Sequence, residues 1–277
     1  MRFFADHSIP GLETADAVSF ERSVQLPRSV GRLRVELVED IGVVCTAWLS
    51  DLGDLGALVS RVRRMFDLDA DSVAIDSALA HDDALAPLVG ASPGIRLPGS
   101  VDVEEALFRT LIGQQISVAA ARTVLGRLVT ELGSNGLFPS AAQIAGSGAG
   151  VLRGPASRVN TVITVAERLA SGDLVLDVSR PAPDFMAELQ SLPGIGPWTA
   201  GYLAMRVLGN PDIMLGSDLV LRQSAALRGL PGTAAGLSTH ATKWAPWRSY
   251  AALHLWRARH WLPSKNDEPH LASVPGA

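Results

Sequence analysis

The stretch that decides the fold is Ser191-Leu192-Pro193-Gly194-Ile195-Gly196-Pro197-Trp198-Thr199-Ala200. Apolar residues at helical spacing flank it, which predicts a short helix over about 184–191 and a second helix over about 198–208. Between them, Gly194 and Gly196 permit backbone angles closed to other residues, and Pro197 suits a first helical position because no N–H is needed there. The amides of Gly194, Gly196 and Trp198 then point outward at the start of a helix, which is a natural phosphate site.

An ordinary turn between two packed helices is the alternative interpretation of this hairpin, since glycine and proline are common in such turns. Ile195 would fill the gap between the two helices in either case. The hairpin by itself therefore predicts only that a phosphate backbone can dock at this point of the chain.

The bulk composition describes a chain with ample material for buried cores: 277 residues, of which 47% are hydrophobic. No run of about 18 apolar residues occurs, so a membrane span is not expected. Acidic Asp6 comes too early for a signal peptide, and a cytoplasmic location is expected. The single cysteine, Cys45, excludes an intrachain disulfide and any four-cysteine zinc or iron–sulfur site.

The net charge of −4 argues against a general nucleic-acid coat, which needs a strong positive field. A local basic footprint is still present near the C-terminus, where no acidic residue interrupts Lys243, Arg248, Arg257, Arg259 and Lys265. A DNA-facing surface and a solvated basic face are both compatible with this cluster.

Patterning along the chain predicts a mostly α protein preceded by a small α+β domain over residues 1–88. Alternating Leu33, Val35 and Leu37 predict one strand, and residues 43–49 predict another. Glycine and proline between residues 87 and 100 indicate a linker. Residues 89–277 are then predicted to be helical, with helices over about 103–111, 117–132, 157–171, 184–191, 198–208 and 246–261. The glycine-rich residues 146–150 are expected to form a flexible connection.

Three further segments give the chain a resemblance to a known family. The segments are Leu111-Ile112-Gly113-Gln114-Gln115-Ile116-Ser117, Gly216-Ser217-Asp218-Leu219 and Trp244-Ala245-Pro246-Trp247-Arg248-Ser249-Tyr250-Ala251-Ala252-Leu253-His254-Leu255-Trp256. Together with the hairpin, they resemble segments of the helix-hairpin-helix (HhH-GPD) DNA glycosylases of the bacterial 3-methyladenine-DNA glycosylase II (AlkA) type. The likeness covers roughly residues 90–265. It implies a two-lobed helical glycosylase fold, with the active-site cleft between the lobes and the hairpin at about 184–208. The first 88 residues match the family's α+β domain loosely, as if a first strand were missing.

Asp218 is the catalytic carboxylate that the resemblance implies. A nearby anion stabilises the oxocarbenium-like transition state of N-glycosidic bond rupture, and it can orient the attacking water. Its local sequence favours a helix N-cap instead. If the Asp218 side chain caps the helix, Ser217 is the residue expected to share the capping.

Aromatic residues at Trp198, Tyr202 and Trp256 match positions that line the family's base pocket. Electron-rich rings hold a cationic alkylated purine by about 0.5–2 kcal/mol per contact. Burial in the core is the alternative for tryptophans, and it is expected for Trp244, Trp247 and Trp261. Bifunctional relatives carry a Schiff-base lysine where this chain has Trp198, so hydrolysis without lyase activity is implied.

DNA contacts are expected from the hairpin residues Gly194, Ile195, Gly196 and Thr199, from the loop residues Gln114, Gln115 and Ile116, and from Arg248. The family inserts a side chain of this loop into the minor groove beside the flipped nucleotide, an aliphatic one in its best-known member. Gln115 stands at that position and can hydrogen-bond the orphaned base. Arg248 suits a phosphate contact or an ion pair with a nearby acid equally well.

No cofactor is expected, although the resemblance implies that backbone carbonyls of Leu192 and Ile195 can hold a structural Na⁺ or K⁺. The expected partner is double-stranded DNA containing damaged bases, with no membrane and no obligate protein partner, and the enzyme is expected to be nucleoid-associated and sufficient as a monomer. Base-excision repair of alkylated purines is the leading hypothesis. A glycosylase for an oxidised or deaminated base, or a non-catalytic DNA-binding module, are the alternatives.

Overall fold

The structure, a computed structural model, describes residues 1–259. Its described part contains one four-stranded sheet and thirteen α-helices. The strands are β1 (Glu13–Ala15), β2 (Ser19–Gln25), β3 (Val30–Val38) and β4 (Gly42–Trp48). The helices of the first half are α1 (Arg2–His7), α2 (Leu55–Met65), α3 (Ser72–Leu79), α4 (Ala86–Ala91), α5 (Val103–Gly113), α6 (Val118–Leu132) and α7 (Ala141–Val151). The remaining helices are α8 (Ala156–Ser171), α9 (Ala182–Gln190), α10 (Pro197–Val207), α11 (Leu219–Ala226), α12 (Ala234–His240) and α13 (Arg248–Arg259).

The sheet is an antiparallel meander in the order β1-β2-β3-β4, with Phe20 opposite Val35 and Val35 opposite Cys45. Its inner face packs with α1 and α2 around a core that includes Phe4, Phe20 and Phe66. A small α+β region followed by helices confirms the predicted fold class.

Strand β2 escaped the sequence analysis because its buried face is not uniformly apolar. Phe20, Arg22 and Val24 alternate inward along it, and all three are buried. An arginine in the middle of that face hides the apolar alternation by which a half-buried strand is recognised. The two predicted strands, by contrast, correspond to β3 and β4.

Arg22 is buried because it belongs to an ion network that joins the sheet to α5. Its guanidinium donates to both carboxylate oxygens of Glu105, at 2.8 and 2.7 Å, and to Glu13 at 3.2 Å. Arg109, one turn after Glu105, also pairs with both acids. Burial alone would raise the pKa of Glu105, but the charges and hydrogen bonds of Arg22 and Arg109 outweigh it and lower the pKa to about 2.

The chain forms two compact units, each built from two separate segments. The first contains residues 1–70 and 96–210, and the second contains residues 71–95 with those from 211 onward. The predicted division at residue 88 does not coincide with this one. Within the first unit the ion network joins the sheet to α5, and within the second α4 packs against α13.

Two segments that were expected to be irregular are partly helical. Residues 146–150 belong to α7, so the prediction of a flexible connection is wrong. A Cβ added at Gly148 would come within 3.1 Å of the Ile163 side chain, so the glycine serves close packing of α7 on α8. The predicted linker between residues 87 and 100 begins inside α4, where Pro87 occupies the first turn and lacks only an N–H that the helix does not use.

We expect Glu105→Gln to lower the free energy of unfolding by about 3–5 kcal/mol, because it leaves the buried Arg22 guanidinium short of negative charge. Urea denaturation monitored by circular dichroism measures the change. Arg127→Ala is the matched control, since it breaks an exposed pair with Glu131 four residues away and should cost at most about 0.5 kcal/mol. Equal effects of the two substitutions would contradict a structural role for the network.

Candidate active site

The hairpin joins α9 to α10 through two glycines, one in a left-handed conformation and one in an extended conformation. Gly194 has φ +81°, and a Cβ there would meet the Thr161 side chain at 2.6 Å, so both conformation and space require glycine. Gly196 has φ −94° and ψ 177°, which any residue adopts. The prediction of unusual backbone angles is therefore right for Gly194 and wrong for Gly196. Nothing lies within 4 Å of a Cβ at Gly196, which leaves room for another backbone to approach.

The rest of the hairpin follows the predicted pattern. Leu192 and Ile195 are buried, and Pro197 is the first residue of α10. The amides in the first turn of a helix have no carbonyl partner inside that helix. The exposed turn at Gly194 and Gly196 thus lies beside a set of amides suited to an anion.

The loop between α5 and α6 is tied to the hairpin helix. The side-chain nitrogen Nε2 of Gln114 donates to Thr199 Oγ1 at 3.0 Å. Gln115, next in the chain, is exposed and has φ +59°, whereas Ile116 is half-buried. Thr199 was expected to contact DNA, but its side chain is only 4% exposed, so the hydroxyl is placed to hold the loop and not to meet a ligand.

Three residues on successive turns of α10 form a stacked column. The rings of Trp198 and Tyr202 are nearly parallel, 8° apart in orientation, with centroids separated by 5.2 Å. The guanidinium of Arg206 follows, 5.0 Å from the Tyr202 centroid and 4.3 Å from that of Phe3 on α1. Both Trp198 and Tyr202 are half-buried, which suits a ring surface that a planar ligand can share.

Asp218 is the N-cap of α11 in the second unit. Its Oδ1 accepts the Leu221 amide at 2.8 Å and the indole N–H of Trp256 at 3.2 Å. Asp218 therefore caps the helix, as its local sequence predicts. Trp256 was expected as a pocket wall, and the structure adds that it hydrogen-bonds the carboxylate.

Arg248 forms the ion pair that was one of its two predicted roles. Its Nε and Nη2 donate to the two oxygens of Asp212 at 2.6 and 2.7 Å. This hydrogen bond and charge hold the pKa of Asp212 below its usual range. A contact of Arg248 with DNA remains a prediction.

Three further tryptophans were expected to be buried in the core. Trp244 is buried, as expected, and its indole donates to Asp82 at 2.8 Å. Trp247 is half-buried, and Trp261 lies outside the described residues. Within residues 1–259 no group of three or more His, Cys, Asp or Glu side chains is placed to hold a metal ion. No helix in the described part of the chain is long and apolar enough to cross a bilayer.

Sequence reasoning missed Arg206, Asp212 and Arg158, which contact predicted site residues, and Phe3, whose ring lies against Arg206. Arg206 could have been found from its spacing, because residues 198, 202 and 206 lie on one face of a helix. The others approach from distant parts of the sequence and leave no local signal.

His254 is a buried histidine two residues before Trp256 on α13. Its side chain is 1% exposed, and neither ring nitrogen has a hydrogen-bond partner within the described residues. Burial lowers its pKa to about 4, against the opposing charge of Asp76. The imidazole is therefore neutral at pH 7.

Comparisons with known proteins agree with these features. Residues 1–102 match the family model described as AlkA N-terminal domain. The chain is 30% identical over 281 residues to DNA-3-methyladenine glycosylase 2 of Escherichia coli strain K12, a match that spans 95% of this chain and 94% of that one.

A second relative is longer than this chain. The "Probable bifunctional transcriptional activator/DNA repair enzyme AlkA" of Mycobacterium tuberculosis is 40% identical over 258 residues, which cover 90% of this chain but 52% of the relative. The chain thus spans about half the length of that protein. Among solved structures, the 3-methyladenine DNA-glycosylase of Archaeoglobus fulgidus superimposes with a TM-score of 0.82 at 19% identity, over 95% of this chain and 94% of that one, and so has the same fold.

We expect acidification to destabilise the protein through His254. An unfolded histidine binds a proton near pH 6.5, whereas the folded one binds it only near pH 4, so protons favour the unfolded state between these values. This effect lowers the free energy of unfolding by about 2 kcal/mol at pH 5. Urea denaturation at pH 7.5 and pH 5 should show a smaller loss for His254→Met than for wild type. Equal losses would show that His254 does not titrate in this way.

Proposed function

Because the chain belongs to the family of DNA-3-methyladenine glycosylases that includes the Escherichia coli enzyme, we propose that it excises alkylated purines from DNA in base-excision repair. Its substrates would be bases of the 3-methyladenine and 7-methylguanine class. The observation that carries the proposal is Asp218, a half-buried carboxylate at a helix N-terminus whose Oδ1 accepts the indole N–H of Trp256.

Asp218 would act on the sugar of a flipped nucleotide. When the bond between C1′ and the base nitrogen breaks, its electron pair leaves with the base, and positive charge develops on the sugar. A fixed carboxylate stabilises that charge and can accept the proton of the water that bonds to C1′. A cationic base departs as a neutral molecule and needs no general acid. The two donors that Oδ1 accepts use about two of the four acceptor positions that a carboxylate offers.

Trp198 and Tyr202 would hold the damaged base, with Trp256 also contributing to the pocket. The stacked rings of Trp198 and Tyr202 offer electron-rich faces, which attract a cationic purine more than a neutral one. Flipping exposes the base to these rings and costs a few kcal/mol of unstacking, a cost that is smaller for a damaged base.

The hairpin would bind the DNA backbone through the amides at the start of α10. The Leu192 carbonyl accepts the Ile195 amide at 3.2 Å, and a carbonyl oxygen has a second lone pair. Carbonyl oxygens are suitable ligands for a hard monovalent cation, so Leu192 and Ile195 fit the Na⁺ or K⁺ implied by the family likeness. Such an ion would add positive charge beside a phosphate. Gln114, Gln115 and Ile116 would meet the minor groove, and Arg248 would contribute from its position beside Asp212.

The reaction is proposed to be hydrolysis without strand cleavage. Schiff-base formation at the sugar needs a lysine near the hairpin, and the position just after it is occupied by Trp198. The chain has no lysine before Lys243. Damaged double-stranded DNA would be the partner, the enzyme would work as a monomer in the cytoplasm at the nucleoid, and no protein partner would be obligatory.

Asp218→Asn should reduce release of 3-methyladenine from methylated DNA by roughly 10²–10³-fold, the range for loss of a fixed transition-state partner. Asparagine caps helices as well as aspartate does, so the substitution keeps the cap and removes the charge. Single-turnover release of methylated bases, with DNA affinity measured in parallel, is the assay. Equal release by both proteins would refute the catalytic assignment. Absence of release from wild type that still binds DNA would favour a binding module.

Sodium borohydride should trap no covalent protein–DNA adduct during turnover, because no lysine is available at the hairpin. Gel electrophoresis of reactions with labelled methylated DNA tests this. A covalent band, together with cleavage of the strand at the damaged site, would show lyase activity and overturn the hydrolase assignment. Hypoxanthine and 8-oxoguanine substrates in the base-release assay distinguish an alkylpurine enzyme from one directed at deaminated or oxidised bases.

A further inference from the structure

Gln115 is the exposed side chain at the tip of a loop whose neighbours are fixed. Gln114 is hydrogen-bonded to Thr199 at 3.0 Å, and Ser117 caps α6 by accepting the Ala120 amide at 3.2 Å. Between these anchors Gln115 has φ +59°, a left-handed conformation that residues other than glycine rarely adopt. The loop therefore presents one polar side chain from a defined backbone position.

Arg158, at the start of α8, determines which end of the Gln115 carboxamide faces outward. Its Nη2 donates to Gln115 Oε1 over a long hydrogen bond of 3.4 Å. Arginine carries only donors, so the carboxamide atom that faces it must be the oxygen. The NH₂ group, with two donors, is consequently turned away from Arg158.

We propose that Gln115, with its oxygen held by Arg158, reads the base opposite the flipped nucleotide and favours cytosine over thymine. This inference rests on the proposed function, in which the loop enters the minor groove. Cytosine presents two adjacent acceptors, N3 and O2, on the edge left unpaired by flipping. Thymine presents O2 next to the N3–H donor. An outward NH₂ group satisfies both acceptors of cytosine, but it opposes the N3–H of thymine.

The same NH₂ group, which only donates hydrogen bonds, also distinguishes the two purines as opposite bases. Adenine offers the acceptor N1 beside its own amino group, so it can satisfy one donor. Guanine places two donors, N1–H and the 2-amino group, where Gln115 also donates. The expected order of affinity for the opposite base is cytosine first, thymine and adenine next, and guanine last. An aliphatic side chain at this position could not produce such an order, because it only stacks.

The test uses duplexes that contain a tetrahydrofuran abasic analogue opposite each of the four bases, with Kd measured by fluorescence anisotropy on the full chain. Wild type should bind the cytosine duplex about threefold to tenfold more tightly than the thymine duplex, the factor for one net hydrogen bond. In Gln115→Leu the four affinities should agree within about twofold.

Two substitutions of Arg158 separate its orienting role from its charge. Arg158→Met releases the carboxamide oxygen, so Gln115 can rotate and match thymine as well, and the cytosine-to-thymine ratio should fall toward one. Arg158→Lys retains a charged donor and should retain the ratio. Because each ratio compares two duplexes on one protein, a general loss of DNA affinity or of folded protein does not alter it.

The outcomes distinguish this inference from the proposed function. Equal wild-type affinity for the cytosine and thymine duplexes would overturn the inference, and so would an unchanged ratio in Arg158→Met. Both results leave the enzymatic proposal intact as long as abasic DNA is bound more tightly than undamaged DNA. A wild-type protein without any preference for abasic DNA would instead overturn the proposed function and the inference with it.

Discussion

The buried ion network around Glu105 is the interaction on which the first unit depends. Arg22 reaches Glu105 from the sheet, and Arg109 supports the same carboxylate from the next turn of α5. Helix α5 ends at Gly113, and the loop that carries Gln114 and Gln115 begins there. Buried charges require close partners because desolvation is costly. The geometry of this network therefore fixes the axis of α5, and with it the position from which the loop extends.

In the second unit, Asp218 has a structural role that is compatible with the catalytic role proposed for it. A helix N-terminus needs an acceptor, and Asp218 supplies it to Leu221. The same helix end favours negative charge, which is what a developing oxocarbenium ion requires nearby. The cap holds the carboxylate in one orientation, and Trp256 adds a second donor. The cap and the proposed catalytic role therefore do not exclude each other, because both use a carboxylate held in one orientation.

The sequence predicted those parts of the fold and site whose signals are local. The hairpin at Gly194 and Pro197, the helices around it and the fold class follow from turn chemistry and periodicity, and the family likeness singled out Asp218. Strand β2 was missed because Arg22 occupies its inner face, and α7 was missed because it contains three glycines, of which Gly148 allows close packing on α8. The contact of Phe3 with Arg206 and the contact of Arg158 with Gln115 arise from tertiary packing. Pairs of residues 43 or more positions apart cannot be recognised from the spacing of one sequence.

The interleaving of the two units affects the order of folding during synthesis. Residues 71–95 leave the ribosome well before residues 211–259, with which they form the second unit. At synthesis rates of about 5–20 residues per second, the delay is on the order of 10 s. During that time Ile75, Leu79 and Leu88, all buried in the finished protein, have no core to enter. Meanwhile residues 1–70 and 96–210 can fold as the first unit. Helices α3 and α4 then stay unpacked until the C-terminal helices are synthesised. Until those helices are synthesised, the segment exposes apolar side chains of the kind that chaperones shield from aggregation.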